Sequence, residues 1–286
     1  VPELPEVETI RGQLAPLVEG RTLVRMEILD ARWSRPLHPQ ELADALEGRR
    51  VESLGRRGKY LLWSFSEEAY LVQHLRMTGS VLLEPDPEPV HARVRLDFEP
   101  KRRLVIVDPR RFGTGELLLG EEALERFFAT RLGIEPMQEA FTGEHLRTIA
   151  RGRVAPIKAF LLDQRQIAGV GNIYADEALF RARIHPRRPA GRLTRPQYAL
   201  LRDSINDALR AGIDARGASI DDFRHVDGVR GAFQNQFLVH LREGEPCVRC
   251  GRTIVKMVVG GRGTYVCEHC QPRPRLRARR PASSGR

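Results

Sequence analysis

Val1-Pro2-Glu3-Leu4-Pro5-Glu6-Val7-Glu8-Thr9 opens the chain, and its residue order predicts both an element and a chemistry. Apolar side chains recur at Val7, Ile10, Leu14 and Leu17, that is at i, i+3, i+7 and i+10, the spacing of one helix face. Pro2 and Pro5 suit a helix start, and Glu3, Glu6 and Glu8 place negative charge in the first turn, where the helix dipole favours it. If Val1 is a start residue that is removed, Pro2 becomes a secondary amine. Such an amine can attack an electrophilic carbon and form a covalent iminium. An α-amino group titrates near about 8, so a useful fraction is neutral at physiological pH without burial. Glu3 then stands beside the new bond, placed to move protons.

Beyond that helix the pattern changes. Short β-type runs at 22–28, 60–65, 69–74, 94–98 and 104–107 alternate with Gly, Pro and charged turns, which predicts a sandwich or barrel. From about 131 the periodicity is helical, with candidate helices at 143–150, 156–164, 172–183 and 194–212. Ala175, Ala178, Leu179 and Ala182 form an apolar stripe on the third. Residues 215–235, with Gly217, Gly228 and Gly231, read as a long loop, and 238–270 as a β-hairpin around a metal site. The expected class is α+β: an N-terminal helix with a β-sandwich (1–130), a helical domain (131–235), a finger (236–270) and a basic tail (271–286).

The 286 residues suffice for two cored domains. No run of about 18 apolar residues occurs, which excludes a membrane-spanning helix. Acids stand where a signal peptide needs positive charge, so a cytoplasmic location is expected. The net charge of +10 favours a polyanionic partner, above all nucleic acid. Six arginines in 271–286 supply over half of it, in a Pro- and Ser-rich tail of disordered composition. Only four of the 47 basic residues are lysines, Lys59, Lys101, Lys158 and Lys256. Against an arginine-rich background, each marks a position where an ammonium is the group to consider.

Cys247-x2-Cys250 and Cys267-x2-Cys270 hold every cysteine of the chain. Two such knuckles give four thiolates for a tetrahedral, closed and therefore structural Zn²⁺ site. Lys256 and Arg262 lie on the hairpin between them, near glycines at 260, 261 and 263. Gly169-Val170-Gly171-Asn172-Ile173-Tyr174 runs into the alanine-striped helix. There Asn172 can cap the helix, and the exposed N–H groups can bind an anion, with Lys158 nearby. Asp108-Pro109-Arg110-Arg111-Phe112-Gly113 ends an apolar strand with an arginine and an aromatic on one turn, a wedge for a gap in stacked bases. His74-Leu75-Arg76-Met77-Thr78-Gly79 offers a second wedge in Met77. Gly55-Arg56-Arg57-Gly58-Lys59-Tyr60 reads as a cationic turn that brings Lys59 to a phosphate or to a site of proton transfer.

Together, in order and in spacing, these motifs resemble the formamidopyrimidine-DNA glycosylase family over residues 2–270. The resemblance implies a helix-two-turn-helix segment and a bifunctional glycosylase/lyase that excises oxidised purines from duplex DNA in base excision repair. It implies that Pro2 is the nucleophile forming a Schiff base with C1′ and that Glu3 is the acid assisting sugar ring opening. Lys59 is implied in β-elimination, and Arg262 in δ-elimination and phosphate binding. His91, Arg110, Arg153, Lys158 and Asn172 fall on DNA-contact positions. Met77, Arg110 and Phe112 match the residues that fill the void left by the flipped nucleotide. The implied cofactor is one structural Zn²⁺, and the implied partner is damaged double-stranded DNA bound by a monomer.

Two departures stand out. Val1 precedes Pro2, and an acylated proline nitrogen is no nucleophile, so the expectation is that Val1 marks a non-AUG start and is removed. The arginine-rich tail is the other, and it is expected to strengthen nonspecific, salt-sensitive DNA binding. Two alternatives stay open: the endonuclease VIII branch acting on oxidised pyrimidines, and a noncatalytic zinc-finger binder of damaged DNA.

Overall fold

The computed structural model describes residues 2–219 and 226–274. Val1, the middle of the 215–235 loop and most of the basic tail lie outside the described residues. Helix α1 (Leu4–Val18) forms where the periodicity predicts it, and it buries Val7, Ile10 and Leu14 completely. Two four-stranded antiparallel sheets follow. One has the order β1 (Leu23–Ile28), β6 (Ala92–Phe98), β7 (Arg102–Val107), β5 (Ser80–Leu83). The other has the order β2 (Val51–Arg57), β3 (Tyr60–Phe65), β4 (Ala69–His74), β8 (Thr114–Leu119). Their inner faces share one core with α1, in which the Trp63 and Phe98 rings stack at 6.3 Å. Two short helices, α2 (Pro39–Leu46) and α3 (Glu121–Ala129), complete this half.

The second half is helical. Helices α4 (Gly143–Ala150), α5 (Ile157–Leu162), α6 (Asn172–Arg181) and α7 (Arg195–Asp214) enclose a separate core. The predicted stripe on α6 is buried throughout, because the helix is covered by its neighbours on every side that carries it. Leu4 belongs to this second core while Val7, Ile10 and Leu14 belong to the first, so α1 is pinned between the halves. Strands β9 (Val255–Val259) and β10 (Arg262–Val266) form the finger hairpin. Its two turn residues, Gly260 and Gly261, have φ of 57° and 73°, the left-handed pair that a primed hairpin turn demands. The fold does not stop at the last cysteine. Gln271 is fully buried, its N–H donates to Cys267 O at 2.8 Å and its Nε2 to Ile184 O at 2.9 Å.

Candidate active site

The segment Pro2-Glu3 is folded into the junction of the two halves. The Leu4 N–H donates to Gly169 O at 3.1 Å, and both Pro2 and Glu3 are buried. Ile173 N–H donates to Glu3 Oε1 at 3.0 Å and Tyr174 N–H to Oε2 at 3.5 Å, so this carboxylate caps α6 from another element. Gly171 makes this possible, since a Cβ there would collide with the Glu3 carboxyl group. Two expectations are corrected here. Asn172 is the first helical residue and not the cap, and the anion held at this helix start is the protein's own Glu3.

Glu6, one turn along, is buried and takes three hydrogen bonds. They come from Glu3 N–H at 2.9 Å, Ala218 N–H at 2.7 Å and Tyr174 O–H at 2.7 Å. Burial, followed by the charge of Glu3, pushes its carboxyl above the usual carboxylate range.

Lys59 reaches the same place from the first half. Strand β2 runs on through Arg57, and Arg57 pairs with Tyr60, so the turn is only Gly58-Lys59 and not the whole cationic stretch. Gly58 has φ of 57°, as the first central residue of a primed turn requires. Burial pushes the Lys59 ammonium below the usual lysine range; Glu3 and Glu6 oppose that shift and Arg262 adds to it. His74 packs edge-on to Tyr60 with ring centroids 4.6 Å apart. Its Nδ1 accepts from Arg76 N–H at 2.9 Å, and burial with the nearby Arg76 and Lys59 charges holds its pKa down to about 3. The imidazole is therefore neutral at physiological pH.

The two wedge loops are tied together by Asp108. Its Oδ1 accepts from Thr78 Oγ1 at 2.5 Å, and its Oδ2 accepts from Phe112 N–H at 2.8 Å and Gly113 N–H at 2.7 Å. Arg111 forks onto Asp30 at 2.6 and 2.9 Å, anchoring the loop to the body. With the Asp108 and Asp30 carboxylates buried beneath the loop, Arg110 and Phe112 are exposed, Phe112 at 51 %, and the guanidinium lies 4.9 Å from the ring centroid.

Arg262 is exposed at the start of β10, next to the glycine turn. Asn172 Nδ2 donates to Gly263 O at 3.1 Å, which sets Asn172 beside Arg262. Lys158 departs from its expected position. Its side chain is fully buried, and its ammonium pairs with Asp176 at 2.7 Å and donates to Thr264 Oγ1 at 2.8 Å and Gly263 O at 3.0 Å. It holds β10 against α5 and α6 and does not face solvent, so it offers DNA no direct contact in this structure. His91 and Arg153 are exposed, and Arg153 donates to Gln166 Oε1 at 3.1 Å.

The four cysteines converge as their spacing predicts. Their sulfurs lie within 4.8 Å of one another, with Cys247–Cys270 at 3.9 Å and Cys250–Cys267 at 3.5 Å. A tetrahedron with Zn–S bonds of about 2.3 Å has sulfurs about 3.8 Å apart, so the set fits Zn²⁺. The metal would close the base of the hairpin that carries Arg262.

Glu3, Lys59, Met77, Phe112, Asn172 and Arg262 all line one cleft of about 600 Å³ between the halves, with His74, Arg76 and Gln164. Against known families, residues 1–115 match the formamidopyrimidine-DNA glycosylase N-terminal domain. Residues 132–224 match its H2TH domain, and 244–273 match the zinc finger found in FPG and IleRS. The formamidopyrimidine-DNA glycosylase of Bacillus licheniformis is 42% identical over 277 residues, covering 95% of this chain and 99% of its own. The chain belongs to the formamidopyrimidine-DNA glycosylase family. Among solved relatives of that family, the MutM (Fpg) protein of Thermus thermophilus superposes with a TM-score of 0.86 at 42% identity, over 96% of this chain and all of its own. A Lactococcus lactis Fpg variant, solved with Fapy-dG-containing DNA, gives 0.89 at 36%, over 95% and 100%.

Several residues that line or support the glycosylase cleft carried little sequence signal. Glu6 stands four residues before Ile10, on the apolar face, and that position could have marked it as a buried acid. Asp108 precedes Pro109 in a turn, where an aspartate commonly binds the N–H groups that follow it. Gln164 accepts from Gly169 N–H at 2.9 Å and donates to Val170 O at 2.8 Å, shaping the glycine turn. Neither it nor His74 had a pattern to reveal it.

Proposed function

We infer that this glycosylase excises oxidised purines, 8-oxoguanine and formamidopyrimidines, from duplex DNA in base excision repair and then cleaves the abasic strand. One observation carries the assignment of roles: side chains from the β2–β3 turn, both wedge loops, α6 and the finger share one cleft with Glu3, the residue next to Pro2. Chemistry at C1′ requires extrusion of the nucleotide, at a cost of a few kcal/mol. Met77, Arg110 and Phe112 enter the vacated stack, and Arg110 faces the opposite base. Asn172, Arg262, His91 and Arg153 hold the kinked backbone through its phosphates.

The Pro2 nitrogen attacks C1′, the base leaves, and an iminium forms. Glu3 protonates the opening sugar from within the cleft, held in place by the N-terminus of α6. The iminium then acts as an electron sink while Lys59 takes the C2′ proton and the 3′ phosphate departs. Arg262 assists loss of the second phosphate, leaving a one-nucleotide gap. The enzyme is proposed to work on DNA as a monomer in the cytoplasm.

The test is a panel of matched duplexes carrying 8-oxoguanine·C, a formamidopyrimidine·C or an oxidised pyrimidine, compared in single turnover. Faster excision of both purine lesions is expected. Preference for the pyrimidine lesion would move the chain to the endonuclease VIII branch.

A further inference from the structure

The turn that carries Lys59 is gripped by a buried charge cluster. Arg56, on β2, donates from Nε to Glu8 Oε2 at 2.9 Å and from Nη1 to Gly58 O at 2.9 Å. The same Nη1 pairs with Glu135, and Gly58 N–H donates to Glu135 Oε1 at 3.2 Å. Both backbone polar groups of Gly58 are thus engaged by this cluster, and its charged groups are mostly buried. Glu8 lies on α1, five residues beyond its N-cap Glu3. Glu135 lies in the segment entering the helical half, where Ile134 bridges Ile167 and Ile134 O accepts from Ala168 N–H at 2.8 Å. Leu132 and Ala168 pack directly on Gly58 from that side.

The cluster therefore joins three bodies: the helix holding Pro2 and Glu3, the hairpin holding Lys59, and the helical half holding Gly171 and Asn172. A buried pair of this kind is weak evidence for stability, because desolvation offsets much of its attraction. It does fix geometry, since the rigid guanidinium of Arg56 engages two carboxylates and a carbonyl at once. We propose that Glu135, acting through Arg56 and Gly58, is a positioning residue that sets Lys59 against Pro2 and Glu3 for proton removal. This rests on the assignment of Lys59 as the proton carrier.

The test uses the full chain and a duplex with a preformed abasic site, so that no base release intervenes. Borohydride trapping reads the Pro2 adduct, and single-turnover strand cleavage reads elimination. Glu135→Ala is expected to slow cleavage about tenfold or more and trapping at most about twofold, as for a reacting group displaced by a fraction of an ångström. Glu135→Gln keeps an acceptor for Gly58 N–H and should recover most of the loss. Lys59→Met combined with Glu135→Ala should be no slower than Lys59→Met alone. Should Glu135→Ala not fold, Arg56→Lys removes the fork but keeps the charge, and the same split between the two rates is expected. Trapping and cleavage that fall together, or losses that multiply in the double variant, would overturn the proposal. An unsubstituted chain that cleaves with no trappable adduct would overturn the Pro2 and Lys59 assignments and this proposal with them, and it is recognised before any substitution is made.

Discussion

Gly171 has no side chain, and the Glu3 carboxylate occupies the space where one would be. The acid is thereby held by backbone N–H groups at a helix start, leaving the lysine as the cation that has lost solvation. Burial lowers the Lys59 pKa, so between its folded value and the ordinary 10.5 a larger fraction is neutral than in a free lysine. Strand cleavage is therefore expected to rise with pH through a group titrating below the usual lysine range. Lys59→Arg should remove that limb and lower the rate by about 10²-fold, because a guanidinium keeps its proton. A pH–rate profile that the substitution leaves unchanged would exclude Lys59 as the base. Residue types were legible here where chemistry narrows them: the four cysteines cluster, and Glu3 and Lys59 share one cleft. Orientation was not. Lys158 and Asn172 stand in the predicted segments, but whether an ammonium faces solvent or Asp176 depends on packing across 18 residues of chain.

At the scale of elements, the finger shows how a structural metal serves a remote side chain. Arg262 is placed by the Gly260-Gly261 turn, by Lys158 and Asn172 on Gly263 O, and by the thiolate cluster at the hairpin base. Chelation of one Zn²⁺ per chain should release the hairpin while the sandwich keeps its circular dichroism. DNA affinity measured by anisotropy should fall about tenfold or more, equivalent to about 1.4 kcal/mol. Unchanged affinity after verified metal loss would contradict this role. The strongly periodic elements were legible, α1 and α4 most directly, since their buried apolar residues recur at helical spacing. Strand β2 was not, because Gly55, Arg56 and Arg57 imitate a turn, and their place in the ladder comes from pairing with β3. Strand β5 has only four residues, and β8 begins with Thr114, Gly115 and Glu116, so only their neighbours in the sheets define them.

For the whole molecule, α1 is the joint: Leu4 packs in the helical core, and Val7 to Leu14 pack in the sandwich. Pro2 and Glu3 are thereby built into the junction of the two halves. Folded contacts continue past Cys270 through Gln271, and Arg273 pairs with Glu268 at 2.5 Å, so a tail deletion is best begun at 275. Removing 275–286 takes away five arginines, and the salt slope of nonspecific binding should become shallower by up to about 4. An unchanged slope in a salt titration would show that the tail does not neutralise phosphates. The central claim, that a free Pro2 amine attacks C1′, is tested most directly by borohydride trapping on an 8-oxoguanine·C duplex, with peptide mapping of the cross-link. A covalent adduct on Pro2 is predicted. Lesion binding with no adduct, by a chain whose sequenced N-terminus is Pro2, would contradict the amine-lyase mechanism.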